Sequence, residues 1–138
     1  MIADNDELSE ICSNHNKNLI QFLLNNDIEF FIIVDEEFTN FDPKLPDDIK
    51  QILHEDYLAF GIVGYSFETA QIVKDHFSFE AAFGEMDFLS KITVPFCAIN
   101  KIYVEKEQIS INPTIPKIID NKNVFLQNPN NLKILKKK

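Results

Sequence analysis

The side chains able to do chemistry are few in this sequence and poorly placed for it. His54-Glu55-Asp56 offers three potential metal ligands in a row, but adjacent residues on a chain rarely converge on one ion. His15 and His76 have no ligand partner at a useful spacing, so all three histidines read as solvated or hydrogen-bonding. Cys97 sits inside the apolar run VPFCAI and reads as a small core residue rather than a nucleophile. The carboxylate run Asp35-Glu36-Glu37 reads as a solvated loop. Glycine occurs only at positions 61, 64 and 84, too sparsely for a phosphate loop or a dinucleotide fingerprint. No catalytic residue, metal or cofactor is therefore expected, and the chain is not expected to be an enzyme.

What remains is binding, and charge limits the partners. Residues 1–113 carry 7 Lys against 21 Asp and Glu, a net charge of −14, whereas residues 114–138 carry 6 Lys and 1 Asp, a net of +5. An acidic body repels phosphate backbones, so nucleic acid is an improbable ligand for the folded part. The absence of Arg is compatible with an AT-rich genome and carries no functional weight. Two Cys, an acidic start MIADNDELSE and no apolar run near the length of a membrane span make the cytoplasm the expected location.

The elements that must position a binding site follow from periodicity. Leu8, Ile11, Leu19, Phe22 and Leu23 recur near helical spacing, predicting a helix over residues 8–25 that stops at Asn25-Asn26-Asp27. IEFFIIV over 28–34 reads as a buried strand, and Pro46-Asp47-Asp48 opens a short helix through Leu53. From Tyr57 to Ile111 the runs YLAFGIVG, TAQIVKD, HFSFEAAF, LSKITVPF, INKIYVEK and QISINP alternate with turns. Short, closely spaced strands predict an antiparallel barrel or sandwich, and no helical spacer is long enough for repeated parallel units. The expected class is mainly β with an N-terminal helix, an α+β fold. Residues 114–130 lose the alternation and read as a linker.

The order of these pieces resembles one family. The strand Phe79-Glu80-Ala81-Ala82-Phe83-Gly84, the block Val94-Pro95-Phe96 followed by Ala98-Ile99, and Ile102-Tyr103 are similar to the SspB (stringent starvation protein B) family. Upstream, NKNLIQFLLNNDIEFFIIVD looks like that family's N-terminal helix running into its first strand. The terminal Leu132-Lys133-Ile134-Leu135-Lys136 is similar to the family's tail, which docks on the N-terminal zinc-binding domain of ClpX. Ala82, where members commonly carry Arg, and Glu85 in place of a second Gly depart from the pattern, and so does a turn at 85–90 about two residues longer than in the proteobacterial form.

The resemblance implies a small Sm-like antiparallel barrel or sandwich over residues 1–113, a flexible linker over 114–131 and a ClpX-docking tail over 132–138. It implies a non-catalytic adaptor that binds tmRNA (ssrA)-tagged polypeptides and delivers them to the ClpXP protease. One wall of the peptide groove would be Ile62, Val63, Gly64, Tyr65, Ser66 and Phe67, and the other Phe79, Ala81, Ala82, Phe83 and Gly84. An ordinary core role for Phe79 and Phe83 stands beside that reading. A homodimer would form through the N-terminal helix at Leu19, Phe22 and Leu23, whose stripe would otherwise pack on its own sheet. The competing expectation is a small Sm-like or OB-like nucleic-acid-binding module, which requires basic and aromatic residues on the strands.

Overall fold

The computed structural model describes residues 1–53 and 55–116. His54, the expected docking tail from Leu132 to Lys136, and all of the expected linker beyond Pro116 lie outside them. Helix α1 (Asp6–Asn25) begins where Asn5 accepts the Leu8 N–H on its side-chain oxygen at 2.8 Å. Asp6 and Glu7 in the first turn add negative charge where the helix dipole favours it. The chain continues through β1 (Phe30–Asp35), β2 (Asn40–Asp42), α2 (Asp47–Ile52), β3 (Tyr57–Ile62), α3 (Tyr65–Glu68) and β4 (Gln71–Val73). It ends in the long hairpin β5 (His76–Phe83) and β6 (Phe88–Pro95), then β7 (Ile99–Val104) and β8 (Glu107–Ile111).

The strands form two antiparallel four-stranded sheets, ordered β3-β1-β7-β8 and β2-β6-β5-β4. The expected α+β class with an N-terminal helix is observed, but no closed barrel forms among the described residues, because the two sheets share no ladder. Apolar packing joins them. Phe30, Ile32, Val34, Leu58, Phe60, Ile62 and Ile102 from the first sheet meet Phe77, Phe79, Ile92 and Val94 from the second. Strand alternation directs these residues inward and their neighbours outward, as the burial of β3, alternately exposed and buried, shows.

Helix α1 packs on the core by Leu19 and Leu23 of its apolar stripe, while Ile11 and Phe22 of that stripe stay exposed. Ile20 and Leu23 are buried, Leu19 packs against the same core, and Asn16 is also buried. Asn16 Nδ2 donates to the carbonyls of Phe96 and Ile99 at 3.1 and 3.0 Å, and its Oδ1 accepts from Ser110 Oγ at 3.2 Å. One buried amide thus ties the helix to the turn after β6, to β7 and to β8. A second amide extends the pattern: Asn112 Nδ2 donates to the Cys97 carbonyl at 3.1 Å. Its Oδ1 accepts from both the N–H and the hydroxyl of Thr114. Thr114 is buried and the Ile115 N–H donates to the Ala3 carbonyl. The first residues of the expected linker are therefore held to the body, because Asn112 and Ala3 supply partners that a linker would take from water.

Asn16→Ala removes two buried hydrogen bonds and leaves the Ser110 hydroxyl without its acceptor, while the Phe96 carbonyl keeps the Ile99 N–H and the Ile99 carbonyl keeps Asn112 Nδ2 at 3.5 Å, so it should destabilise the chain by about 1–3 kcal/mol. Urea denaturation followed by circular dichroism measures this. A loss below about 1 kcal/mol would show that water replaces the amide.

Candidate functional site

The two expected groove walls do come together, and Glu80 joins them. Its carboxylate accepts from the Tyr65 hydroxyl at 2.6 Å, its carbonyl accepts from Ser66 Oγ at 2.8 Å, and its N–H donates to Thr69 Oγ1 at 2.9 Å. Strand β5 is thereby tied to α3 side by side. The hydrogen bond to the Glu80 carboxylate first, partial desolvation second, and then the charges of Glu80 and Glu68 hold the Tyr65 hydroxyl above its ordinary pKa of 10.0. Tyr65 is therefore protonated and donating throughout the neutral range. Gly64, with φ +54°, opens α3, and its N–H donates to Glu29 Oε2 at 2.9 Å.

Not all the expected lining residues are available. Ile62 and Phe79 are buried in the core, because both point between the sheets, so neither can touch a peptide. Phe67 is half-buried against Phe30, with ring centroids 6.5 Å apart. Val63, Gly64 and Tyr65 are exposed and Ser66 is half-buried. On the other wall Ala82 and Gly84 are exposed, while Ala81 and Phe83 are half-buried and pack partly on the core. Of the expected dimer residues, Leu23 is buried within its own chain and Leu19 packs beside it. Only Phe22 stands outward, because Cys12, Asn16 and Ile20 complete the inner face instead.

A cleft of about 250 Å³ lies beside this region, lined by Leu53, Glu55, Tyr57, Leu58, Ala59, Phe60 and Phe83. Phe83 is shared with the expected groove, and the opposite wall is β3 rather than residues 62–67. The aromatic core reaches the cleft directly, since Phe60 contacts Phe79 at 5.3 Å and Phe83 at 6.4 Å, and Phe83 contacts Phe41 at 5.9 Å. At the turn after β5, Gly84 has φ +75°, and a Cβ there would stand 3.2 Å from Ile49 Cδ1 of α2. Helix α2 and the hairpin turn therefore touch beside the cleft.

The second feature is the edge of β3, with which no strand pairs among the described residues. Sheets blunt exposed edges with charges, prolines, bulges or short strands. Strands β2 and β4 have three residues each, β2 runs into Pro43, and β8 carries Glu107 and pairs with β7 through a register shift at Ile102/Tyr103. Strand β3, with sequence YLAFGI, has six residues, no charge and no proline, and pairs with β1 without a shift. Alternate residues along an edge strand direct their N–H and C=O groups away from the sheet. This edge was not legible beforehand, because strand order is a long-range property. The neutrality of YLAFGI amid an acidic chain was its one local sign.

The other chemistry-bearing residues stay apart. His15 lies exposed on α1, His76 lies exposed at the start of β5, and Cys12 and Cys97 are half-buried on different elements. Among the described residues no three metal-capable side chains cluster, and no helix is long and apolar enough to cross a membrane. No known family model matches the chain, and no curated protein matches it.

Glu80→Gln removes the acceptor charge beside Tyr65, so the tyrosine should titrate nearer 10.0 than in the parent, as read by ultraviolet absorbance against pH. A raised folded-state pKa contributes stability that is present below pH 10 and lost as pH rises through the folded value. The stability difference between parent and variant should accordingly shrink in strong alkali. An unshifted tyrosine titration would remove the carboxylate of Glu80 as a link between the walls, leaving only its backbone bonds to Ser66 and Thr69.

Proposed function

We propose that the chain is a non-catalytic adaptor that binds tmRNA-tagged polypeptides and brings them to the ClpXP protease, on an SspB-like, Sm-like version of the two-sheet body. The observation that carries this reading is the neutral, unbulged edge of β3 beside an apolar cleft. An unstructured tag offers little side-chain bulk, so it is best held as an added strand whose backbone bonds fix register while a pocket takes alternate side chains. Phe83 supplies the far wall of the cleft, whereas Ala82 alternates to the opposite face of β5.

Delivery in this proposal needs a second contact, and Leu132, Lys133, Ile134, Leu135 and Lys136 are its proposed site on the zinc-binding domain of ClpX. A span of 16 residues from Lys117 to Leu132 has a root-mean-square reach of about 20–24 Å if it behaves as a flexible coil. That tether would raise the local concentration of tagged substrate at the unfoldase to roughly millimolar. The adaptor itself requires no nucleotide or metal, and a homodimer would present two tails. The nucleic-acid reading is disfavoured by Glu55 in the cleft and by Asp47, Asp48, Asp56, Glu85 and Asp87 on the adjoining segments. The reading places the protein in the cytoplasm, where tagged chains are made.

Ala59→Gln adds bulk at an exposed position of β3 that lines the cleft, so it should weaken binding of a fluorescent tmRNA-tag peptide by about 1–3 kcal/mol with an unchanged melting transition. Replacing Leu132, Ile134 and Leu135 by Asp should leave tag affinity intact and abolish acceleration of ClpXP degradation at low substrate concentration. A parent that binds a single-stranded oligonucleotide and not the tag would sink the adaptor reading.

A further inference from the structure

Hydrogen-bond parity fixes what the edge of β3 presents to a ligand. The Glu36 N–H donates to the Asp56 carbonyl at 2.9 Å, one step beyond the Asp35–Tyr57 pair, so positions 36 and 56 form a hydrogen-bonded pair of the ladder. Such pairs recur at every second residue, and Leu58, Phe60 and Ile62 therefore exchange their backbone bonds with β1. Tyr57, Ala59 and Gly61 turn their N–H and C=O groups the other way, to the side on which no strand pairs among the described residues. Side chains follow the same alternation. A segment paired along this edge would set every second side chain on the inner side, level with Leu58 and Phe60, where Leu53 and Phe83 complete an apolar lining. Its other side chains would lie outward, beside exposed Tyr57 and Ala59. There they approach Phe31, which is 45% exposed and whose ring lies over Gly61, with Cε2 2.8 Å from where a Cβ would stand.

Charge narrows the composition of that segment. The stretches that frame the cleft, residues 43–56 and 84–87, carry Asp47, Asp48, Glu55, Asp56, Glu85 and Asp87 against Lys44 and Lys50, six carboxylates and two ammonium groups, for a net of −4 with histidine neutral. Glu55 alone of these lines the cleft itself, next to the Tyr57 end of the strand, and it is exposed. An acidic peptide would meet like charge here, and an uncharged one would gain nothing from the carboxylates. We propose that this edge selects an extended peptide with apolar side chains two residues apart and a lysine or arginine at the end that lies over Glu55, and that Glu55 sets this preference. The inference rests on the peptide-binding reading above and adds to it the chemistry of the peptide. Exposed ion pairs are weak singly, so the preference is the modest sum of attraction for a basic peptide and repulsion of an acidic one.

Fluorescence anisotropy of the full chain with three labelled peptides, at about 0.15 M salt, tests this. The first is Lys-Ser-Val-Ser-Leu-Ser-Lys, the second has Glu at both ends instead, and the third, Lys-Ser-Val-Leu-Ser-Ser-Lys, sets the apolar residues side by side. Equal charges at the two ends make the comparison independent of strand direction. The first peptide should bind about fivefold tighter than either of the others. Glu55→Lys, with the parent's melting transition, should cut the preference for Lys over Glu ends to about twofold or less. Glu107→Lys on β8, at the opposite edge of the sheet, makes the same change in net charge and should leave that preference above about threefold. Three results overturn the inference and leave the peptide-binding reading standing: equal binding of the first peptide and either of the others, a preference that Glu55→Lys does not move or that Glu107→Lys moves as far, and binding of the tmRNA-tag peptide with none of the three. Failure of the tag peptide and all three to bind overturns that reading and the inference with it.

Discussion

Packing of phenylalanine between two sheets that share no hydrogen bonds is the constraint on which the rest of this structure depends. In a closed barrel the ladder itself would hold the sheets together; here only side chains do. The rings form a continuous series, with Phe30–Phe77 at 6.0 Å, Phe77–Phe79 at 5.5 Å and Phe60–Phe79 at 5.3 Å. Aromatic pairs of this kind contribute about 0.5–1.5 kcal/mol each beyond burial. The series does not stop at the boundary of the core. It continues through Phe60 to Phe83 and Phe41, and Phe60 and Phe83 line the cleft. The candidate site is thus an end of the core left open, which explains why it is apolar in an acidic protein.

Strand positions were legible because the core demands period-two alternation wherever one face is buried. HFSFEAAF, expected as a strand over 76–83, is β5 over the same residues, and the other five runs hold strands β3, β4, β6, β7 and β8. Strand β2 was not anticipated, because its three residues show no repeat and owe their order to pairing with Thr93, Ile92 and Lys91. Nor was α3, a single turn that depends on Gly64 at positive φ and on hydrogen bonds to distant Glu80.

Helix α1 shows where periodicity misleads. Ile11 and Phe22 looked like part of the buried stripe, yet both are exposed, and Asn16 lies at the centre of the buried face. A polar residue there breaks the apolar pattern only because its amide satisfies carbonyls about 80 residues away in sequence. No local reading contains that information. The same limit separates Phe79 from Phe83. Both sit on β5 with the same inward parity, and only the extent of cover from the opposite sheet makes one core and the other lining.

The open edge of β3 and the exposed outer face of its sheet share a cause. A four-stranded sheet with its inner face on the core must still dispose of an outer face and two edges. Here β8 has a register shift and Glu107, and α1 serves the core rather than covering the outer face. Among the described residues neither device protects β3 or the Phe31 face. Tyr57 and Ala59 belong to both, since they line the cleft along the edge and also point outward beside Ile33 and Asp35. A strand added at the β3 edge would widen the apolar face by one strand.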